Sequence, residues 1–232
     1  MAVRLAAIRE RRLSLAVGCL VSLVCPGAWA DAAFERCAPT PPQTEGPYHP
    51  VESDQEPIQR SSSDLTRVEG RAGEAEGQTI RLEGRVLDEH CRPVAGAVVE
   101  IWQASARGRY NHPRDRGNPA PLDPAFRYWV KVQADRDGRY RIKTILPGRY
   151  QAGHGWIRPS HVHFKVHYAD GRTLTTQLYF DGDPYLEQDY IFQDVPIAER
   201  RRVVARSEPP EPGKEREGRL YRFDLVVPVT GP

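Results

Sequence analysis

Two histidines stand two residues apart in the stretch Trp156-Ile157-Arg158-Pro159-Ser160-His161-Val162-His163-Phe164. On a strand such residues face the same way, so His161 and His163 project together, close enough to share a metal ion. Read alone, the pair fits an ordinary surface or core-edge position equally well. Lys165 and His167 follow on the same face, and neither signals a third ligand. The chain has no H-E-x-x-H helix to supply a familiar zinc set. Two tyrosines occupy unusual loop settings: Tyr110 in Gly108-Arg109-Tyr110-Asn111-His112, and Tyr150 in Leu146-Pro147-Gly148-Arg149-Tyr150. A loop tyrosine is ordinarily packing or a hydrogen-bonding cap, and these two gain interest only from the wider pattern of the chain.

Such residues need a rigid frame. Ile80, Leu82, Gly84 and Val86 alternate with Arg81, Glu83 and Arg85, the period of a half-buried strand. Residues 97–102 form a second strand, with a turn over 88–96 between the two. Residues 128–134 and 140–145 flank Asp135-Arg136-Asp137-Gly138, which predicts a hairpin with an Asp-Gly turn. Residues 161–168 and 173–180 form another hairpin around Ala169-Asp170-Gly171, and residues 220–227 close the sequence as a strand. One short helix is expected within 198–204, and 207–218 reads as a solvated loop. Strands at this spacing predict an all-β fold, a β-sandwich of mostly antiparallel strands with long loops. Residues 31–75, rich in Pro, Ser, Gln and charge, read as an extended N-terminal arm ahead of a sandwich domain over 76–232. Such an arm is ordered only if it docks.

The 232 residues suit one domain with an arm. A hydrophobic content of 39% beside 28% charged residues argues against a disordered or multi-span membrane chain. Residues 1–30 read as a secretory signal: Arg4, Arg9, Arg11 and Arg12 precede an apolar run over 13–25, and Ala28-Trp29-Ala30 forms a cleavage site before Asp31. The run is short for a membrane span. The expected location is therefore exported, periplasmic or secreted, with no membrane attachment after cleavage. Removing this segment takes the formal charge from +2 to −1, which removes the electrostatic argument for nucleic-acid binding. Cys37 and Cys91 remain. In an exported chain an even pair suggests a disulfide, here tying the arm to the domain; two free thiols are the alternative.

Over residues 40–227 the chain resembles the intradiol ring-cleavage dioxygenases, most closely the iron-bearing chain of the protocatechuate 3,4-dioxygenases. The resemblance rests on ordered anchors: Thr44-Glu45-Gly46-Pro47-Tyr48, Asp64-Leu65-Thr66-Arg67, Gly84-Arg85-Val86-Leu87-Asp88, Val99-Glu100-Ile101-Trp102-Gln103-Ala104, Gly108-Arg109-Tyr110, Ala120-Pro121-Leu122-Asp123-Pro124, the histidine segment, Thr176-Gln177-Leu178-Tyr179-Phe180 and Tyr221-Arg222-Phe223-Asp224. It implies a non-haem Fe(III) held by Tyr110, Tyr150, His161 and His163. A hard, highly charged ion prefers anionic oxygen and depresses a phenol's pKa, whereas zinc and copper suit two phenolates less well. The resemblance implies that Tyr150 is the more labile ligand and acts as an internal base toward the substrate. Arg158 would stabilise charge developing on the substrate ring, and Gln177 would hold Arg158 in place. Gly46, Pro47, Tyr48, Trp102 and Ile191 would line the substrate pocket. The implied partners are a small aromatic diol and O2, and the implied product is a cis,cis-muconate-type diacid formed without added reductant; a symmetric homo-oligomer is the default expectation for assembly. The sequence departs from the family where Pro-Trp often follows the second tyrosine, since Tyr150 precedes Gln151-Ala152-Gly153-His154-Gly155. His154 is a candidate to fill that wall or to lie on the loop surface.

Two other readings belong to different classes. One is a non-catalytic extracytoplasmic β-sandwich module binding aromatic or carbohydrate ligands. The other is a hydrolase using His161 and His163 with zinc.

Overall fold

A computed structural model describes residues 36–51, 57–60, 62–168, 171–210, 212–213 and 215–228. The expected signal segment over 1–30 and the turn residues Ala169 and Asp170 lie outside the described residues.

Fourteen strands dominate the described chain: β1 (Ile58–Arg60), β2 (Ser62–Asp64), β3 (Thr79–Asp88), β4 (Val98–Gln103), β5 (Trp129–Gln133), β6 (Arg139–Ile145), β7 (Tyr150–Gly153), β8 (Trp156–Arg158), β9 (His161–His167), β10 (Thr173–Phe180), β11 (Val204–Ala205), β12 (Ser207–Glu208), β13 (Arg219–Arg222) and β14 (Leu225–Val227). The first sheet runs β1-β5-β4-β9-β10-β11, the second β12-β13-β3-β6-β2 with β14 also on β3, and β7-β8 is a separate ribbon. The long pairings β3–β6, β4–β5, β4–β9 and β9–β10 are antiparallel. The short edge strands β1, β2 and β11 add in parallel.

Period-2 alternation explains the layers. Val162, Phe164 and Val166 of β9, Val99 and Ile101 of β4, and Val130 and Val132 of β5 meet Ile80, Leu82, Tyr140 and Ile142 of the other sheet in one buried core. The alternate residues must therefore face away from that core. His161, His163, Glu100, Trp102 and Gln177 all stand on this second face of the first sheet, and all are buried. What buries them is not the other sheet but the arm and the loops.

The two strands flanking Asp135-Arg136-Asp137-Gly138 do not pair, contrary to the hairpin expected from the sequence. β5 joins the first sheet and β6 the second. The turn itself is tight, with Gly138 N–H bonded to Asp135 O at 2.9 Å. Its carbonyl accepts from Val86 N–H of β3 at 2.8 Å, so the turn docks on the second sheet. An Asp-Gly turn specifies reversal, and the apolar faces decide whether the strands then lie side by side or opposite each other. The hairpin of β9 and β10 forms as expected, from Thr173 opposite His167 to Tyr179 opposite His161. The closing segment is two strands, β13 and β14, rather than one. The helix expected within 198–204 is a single 3-10 turn, Arg200–Arg202, and a one-turn helix, α1 (Tyr190–Gln193), precedes it. Within 207–218, Ser207–Glu208 pairs with β13.

The arm docks on its own domain. Cys37 and Cys91 form a disulfide, Thr40 N–H donates to Val226 O at 3.0 Å, and Gln43 N–H donates to Thr175 O at 2.9 Å along β10. Further along, β1 and β2 hand one strand to each sheet, and Leu65 is fully buried between them.

Candidate active site

Adjacent strands place Trp102, His163 and Gln177 in one row across the first sheet, and His161 opposite Tyr179 in the next. The imidazoles of His161 and His163 lie 4.9 Å apart between ring centroids. Tyr110 arrives on a loop, whereas Tyr150, expected in a loop, opens strand β7; the segments leading to them interlock through glycine. Gly108 has φ +73°, and a Cβ there would lie 2.2 Å from Arg149 O. A Cβ on Gly148 would lie 2.3 Å from Ala106 O. Gly148 N–H donates to Ser105 O at 2.9 Å. Only backbones without side chains approach this closely, and the contact brings Tyr110 and Tyr150 edge to face with centroids 5.6 Å apart. Tyr110 N–H is held by Asp115 Oδ2 at 2.7 Å.

The four donors converge. Tyr110 Oη lies 3.2 Å from His161 Nε2, Tyr150 packs 5.8 Å from His161, and Tyr110 packs 6.2 Å from His163. His161 Nδ1 sits 2.7 Å from Pro159 O; the N–H must donate to this carbonyl, which leaves Nε2 as the bare donor. Trp102 stacks flat on His163 at 4.8 Å and backs the imidazole from behind. His163 Nδ1 is buried with no hydrogen-bond partner.

Electrostatics follow from burial. The histidines are held well below the usual 6.5 by burial and then by the Arg158 guanidinium, so both imidazoles are neutral and able to ligate. Burial pushes Tyr110 well above 10.0. It pushes Tyr150 up to about 12 against the pull of Arg158. Two buried phenols and two neutral imidazoles, one with an orphaned nitrogen, fit a strong Lewis acid that replaces the phenolic protons. No group of three or more His, Cys, Asp or Glu side chains suited to a metal occurs among the described residues.

Arg158 reaches the site because Tyr150 of β7 pairs opposite it in β8. Its guanidinium is buried, donating from Nη2 to Gln177 Oε1 at 2.6 Å and from Nε to Asp189 Oδ2 at 2.7 Å. Gln177 Nε2 in turn donates to Thr44 O of the arm at 2.9 Å. Asp189 is the functional residue that sequence reasoning missed. It is fully buried, accepts Trp156 Nε1 at 3.1 Å, and caps α1 through Phe192 N–H at 2.9 Å. An Asp one residue before a short apolar turn reads as a helix cap, and nothing local in the sequence connects it to Arg158.

The arm supplies a lid from the same chain. Tyr48 stacks on Tyr110 at 4.6 Å and meets Tyr150 edge-on at 6.1 Å. Gly46, with φ +71°, abuts His163, whose Cε1 would lie 3.5 Å from an added Cβ. Pro47 is exposed on the turn between them. Trp102 is a backing residue rather than an open pocket wall. Ile191 of α1 lines a groove of about 530 Å³ with Pro41, Gln43 and Thr44. His154 is exposed at the tip of the β7–β8 ribbon and fills no wall.

The family model described as "Dioxygenase" matches residues 51–228. The chain is 44% identical over 169 residues to the protocatechuate 3,4-dioxygenase beta chain of Burkholderia cepacia, covering 71% of this chain and 70% of that one. It is 32% identical over 176 residues to a catechol 1,2-dioxygenase of Acinetobacter baylyi, covering 70% of this chain. The chain spans about half the length of that relative, 53%. Among solved structures it is similar to the dioxygenase domain of a dioxygenase carbohydrate-binding protein fusion from Streptomyces sp. SirexAA-E, with a TM-score of 0.58, 26% identity, and 83% of this chain and 100% of that one covered. It is also similar to a catechol 1,2-dioxygenase from an Acinetobacter species, with a TM-score of 0.62, 28% identity, and 82% and 62% covered. The extent of the family match, together with the identity to the Burkholderia chain, establishes that this protein belongs to the intradiol ring-cleavage dioxygenase family.

Proposed function

We propose that the protein is an exported Fe(III) enzyme that opens a catechol-type, protocatechuate-like ring between its two hydroxyl-bearing carbons with O2. The product is a cis,cis-muconate-type diacid that retains both oxygen atoms, so no external reductant enters the balance. The observation that carries this reading is the convergence of Tyr110, Tyr150, His161 and His163 beside the buried, doubly held Arg158. Those four side chains would hold the iron, which when bound supplies a hard Lewis acid that keeps phenols as phenolates and takes the diol oxygens.

The chain's own groups do the rest. Tyr150, on the small β7–β8 ribbon, is the phenolate placed to take a proton from a diol hydroxyl at Oη. Arg158 cannot lose its charge, and its fork is fixed at two points, so it presents a preorganised positive charge to density developing on the ring. Gln177 transmits the position of the arm to Arg158 through its two amide ends. Trp102 and Tyr48 exclude water from the imidazole and phenol faces. The arm and all four donors belong to one chain, which supports a homo-oligomer or a single self-sufficient chain over a required second subunit.

The test is oxygen uptake by iron-loaded protein lacking residues 1–30, with a panel of catechols and product mass. Uptake of two oxygen atoms without reductant is expected. Binding of catechols without uptake would leave a binding module in place of an enzyme. A colourless iron-loaded protein, lacking a tyrosinate charge-transfer band, would remove the ligand assignment.

A further inference from the structure

An open cleft of about 540 Å³ is lined by Tyr48 and Tyr150. Gln151, Ala152 and Gly153 add small and polar lining. That volume is in the range that accommodates a ligand much larger than one bare diol ring.

The rim is cationic, with Arg107, Arg114 and Arg149 all facing the cleft. Two of these charges are answered within the chain. Arg107 donates to Glu76 at 2.6 and 3.0 Å, and Arg149 Nε donates to Asp183 at 2.9 Å. The one carboxylate of the lining, Asp115, is already engaged by Tyr110 N–H at 2.7 Å and by Asn118 Nδ2 at 3.5 Å. Arg114 differs. It sits on the exposed 3-10 turn Pro113–Asp115, and its guanidinium makes no ion pair or hydrogen bond among the described residues.

A guanidinium with no ion-pair partner among the described residues, in a cleft that Tyr150 also lines, has a chemical meaning. We infer that this cleft is a substituent subsite, and that Arg114 selects aromatic diols carrying an anionic side chain longer than a ring carboxylate. The inference rests on the proposed reaction and adds the class of substrate. A guanidinium and a carboxylate pair through charge-assisted hydrogen bonds. At a solvent-facing rim the pair discriminates by a modest factor that salt weakens.

The test compares 3-(3,4-dihydroxyphenyl)propionate with its uncharged amide. In the iron-loaded protein kcat/KM should favour the carboxylate by about fivefold at low salt, through KM, with the ratio shrinking as salt rises. Arg114→Gln should bring the ratio close to one, and Arg114→Glu should invert it. A wild-type ratio near one, or a ratio retained in Arg114→Gln, overturns the assignment of the cleft. Calorimetric binding of the two compounds to iron-free protein and to Arg114→Gln decides the same point without turnover, so absence of oxygen uptake with every diol overturns the reaction alone.

Discussion

The four donors differ in what replaces them. Tyr110→Phe removes the phenol that faces His161 Nε2, and both iron retention and turnover should fall by ~100-fold or more. Iron content and the visible tyrosinate band check this. Arg158 is more exacting, because its two partners lie on different elements. Arg158→Lys keeps the charge and cannot reach Asp189 and Gln177 together, so kcat/KM should drop by ~100-fold while the bound iron stays. Asp189→Asn is the gentler probe: asparagine can keep the cap on α1 through its one amide oxygen, but its NH2 then stands where Oδ2 accepted from Arg158 and Trp156, so the ion pair and the Trp156 hydrogen bond are both lost. We expect a loss of about tenfold in kcat/KM at unchanged iron content. A loss of iron instead would show that Asp189 supports the fold of the site rather than Arg158.

Strands and loops set the distances between these groups. The two tyrosine loops touch through Gly108 and Gly148, and the crowding at Gly148 is against backbone atoms, 2.3 Å from Ala106 O and 2.4 Å from Gly108 N. Gly148→Ala should therefore push the loops apart and lose the tyrosinate band, with the far-ultraviolet strand signal retained. On the same face of the first sheet, Glu100 joins three elements: His49 of the arm at 2.9 Å, Lys131 of β5 at 3.1 Å and His167 of β9 at 3.3 Å. Burial alone would raise this carboxyl, but the hydrogen bonds from His167, His49 and Lys131 win and hold it well below its usual 4.5. A carboxyl depressed on folding adds stability that is fully present above the unfolded value and is lost as pH falls through the folded one. Thermal melts should therefore show Glu100→Gln less stable than the parent at pH 7, and the gap should close as the pH falls below about 4.5.

For the protein taken together, the disulfide and the arm make the site a property of one chain. Cys37 and Cys91 are 54 residues apart, and closing such a loop limits the unfolded chain. Cys37→Ser with Cys91→Ser should cost about 2–4 kcal/mol in urea unfolding. Reductant should lower the parent to the same midpoint and leave the variant unmoved. The arm's own hydrogen bonds to Thr175 and Val226 should keep Tyr48 on Tyr110 in the folded variant, so the visible band should survive.

Much of this was legible in the residues. Period-2 alternation marked β3, β4, β9 and β10 and set His161 and His163 on one face, because a strand leaves its side chains no other choice. The turn at Gly138 was legible as a reversal, but its strands parted to opposite sheets, since only the packing of Val130 and Val132 against Tyr140 and Ile142 decides which layer each joins. Local pattern marked Tyr110 as a loop residue, missed that Tyr150 opens β7, and did not say that the two meet. That meeting depends on two backbones touching at glycines 40 positions apart. Asp189 was silent for the same reason: a buried counter-ion is chosen by what folds over it, and its partner Arg158 lies 31 residues away. Spacing determines which residues share a face; only the closed chain determines which faces, loops and charges come within bonding distance.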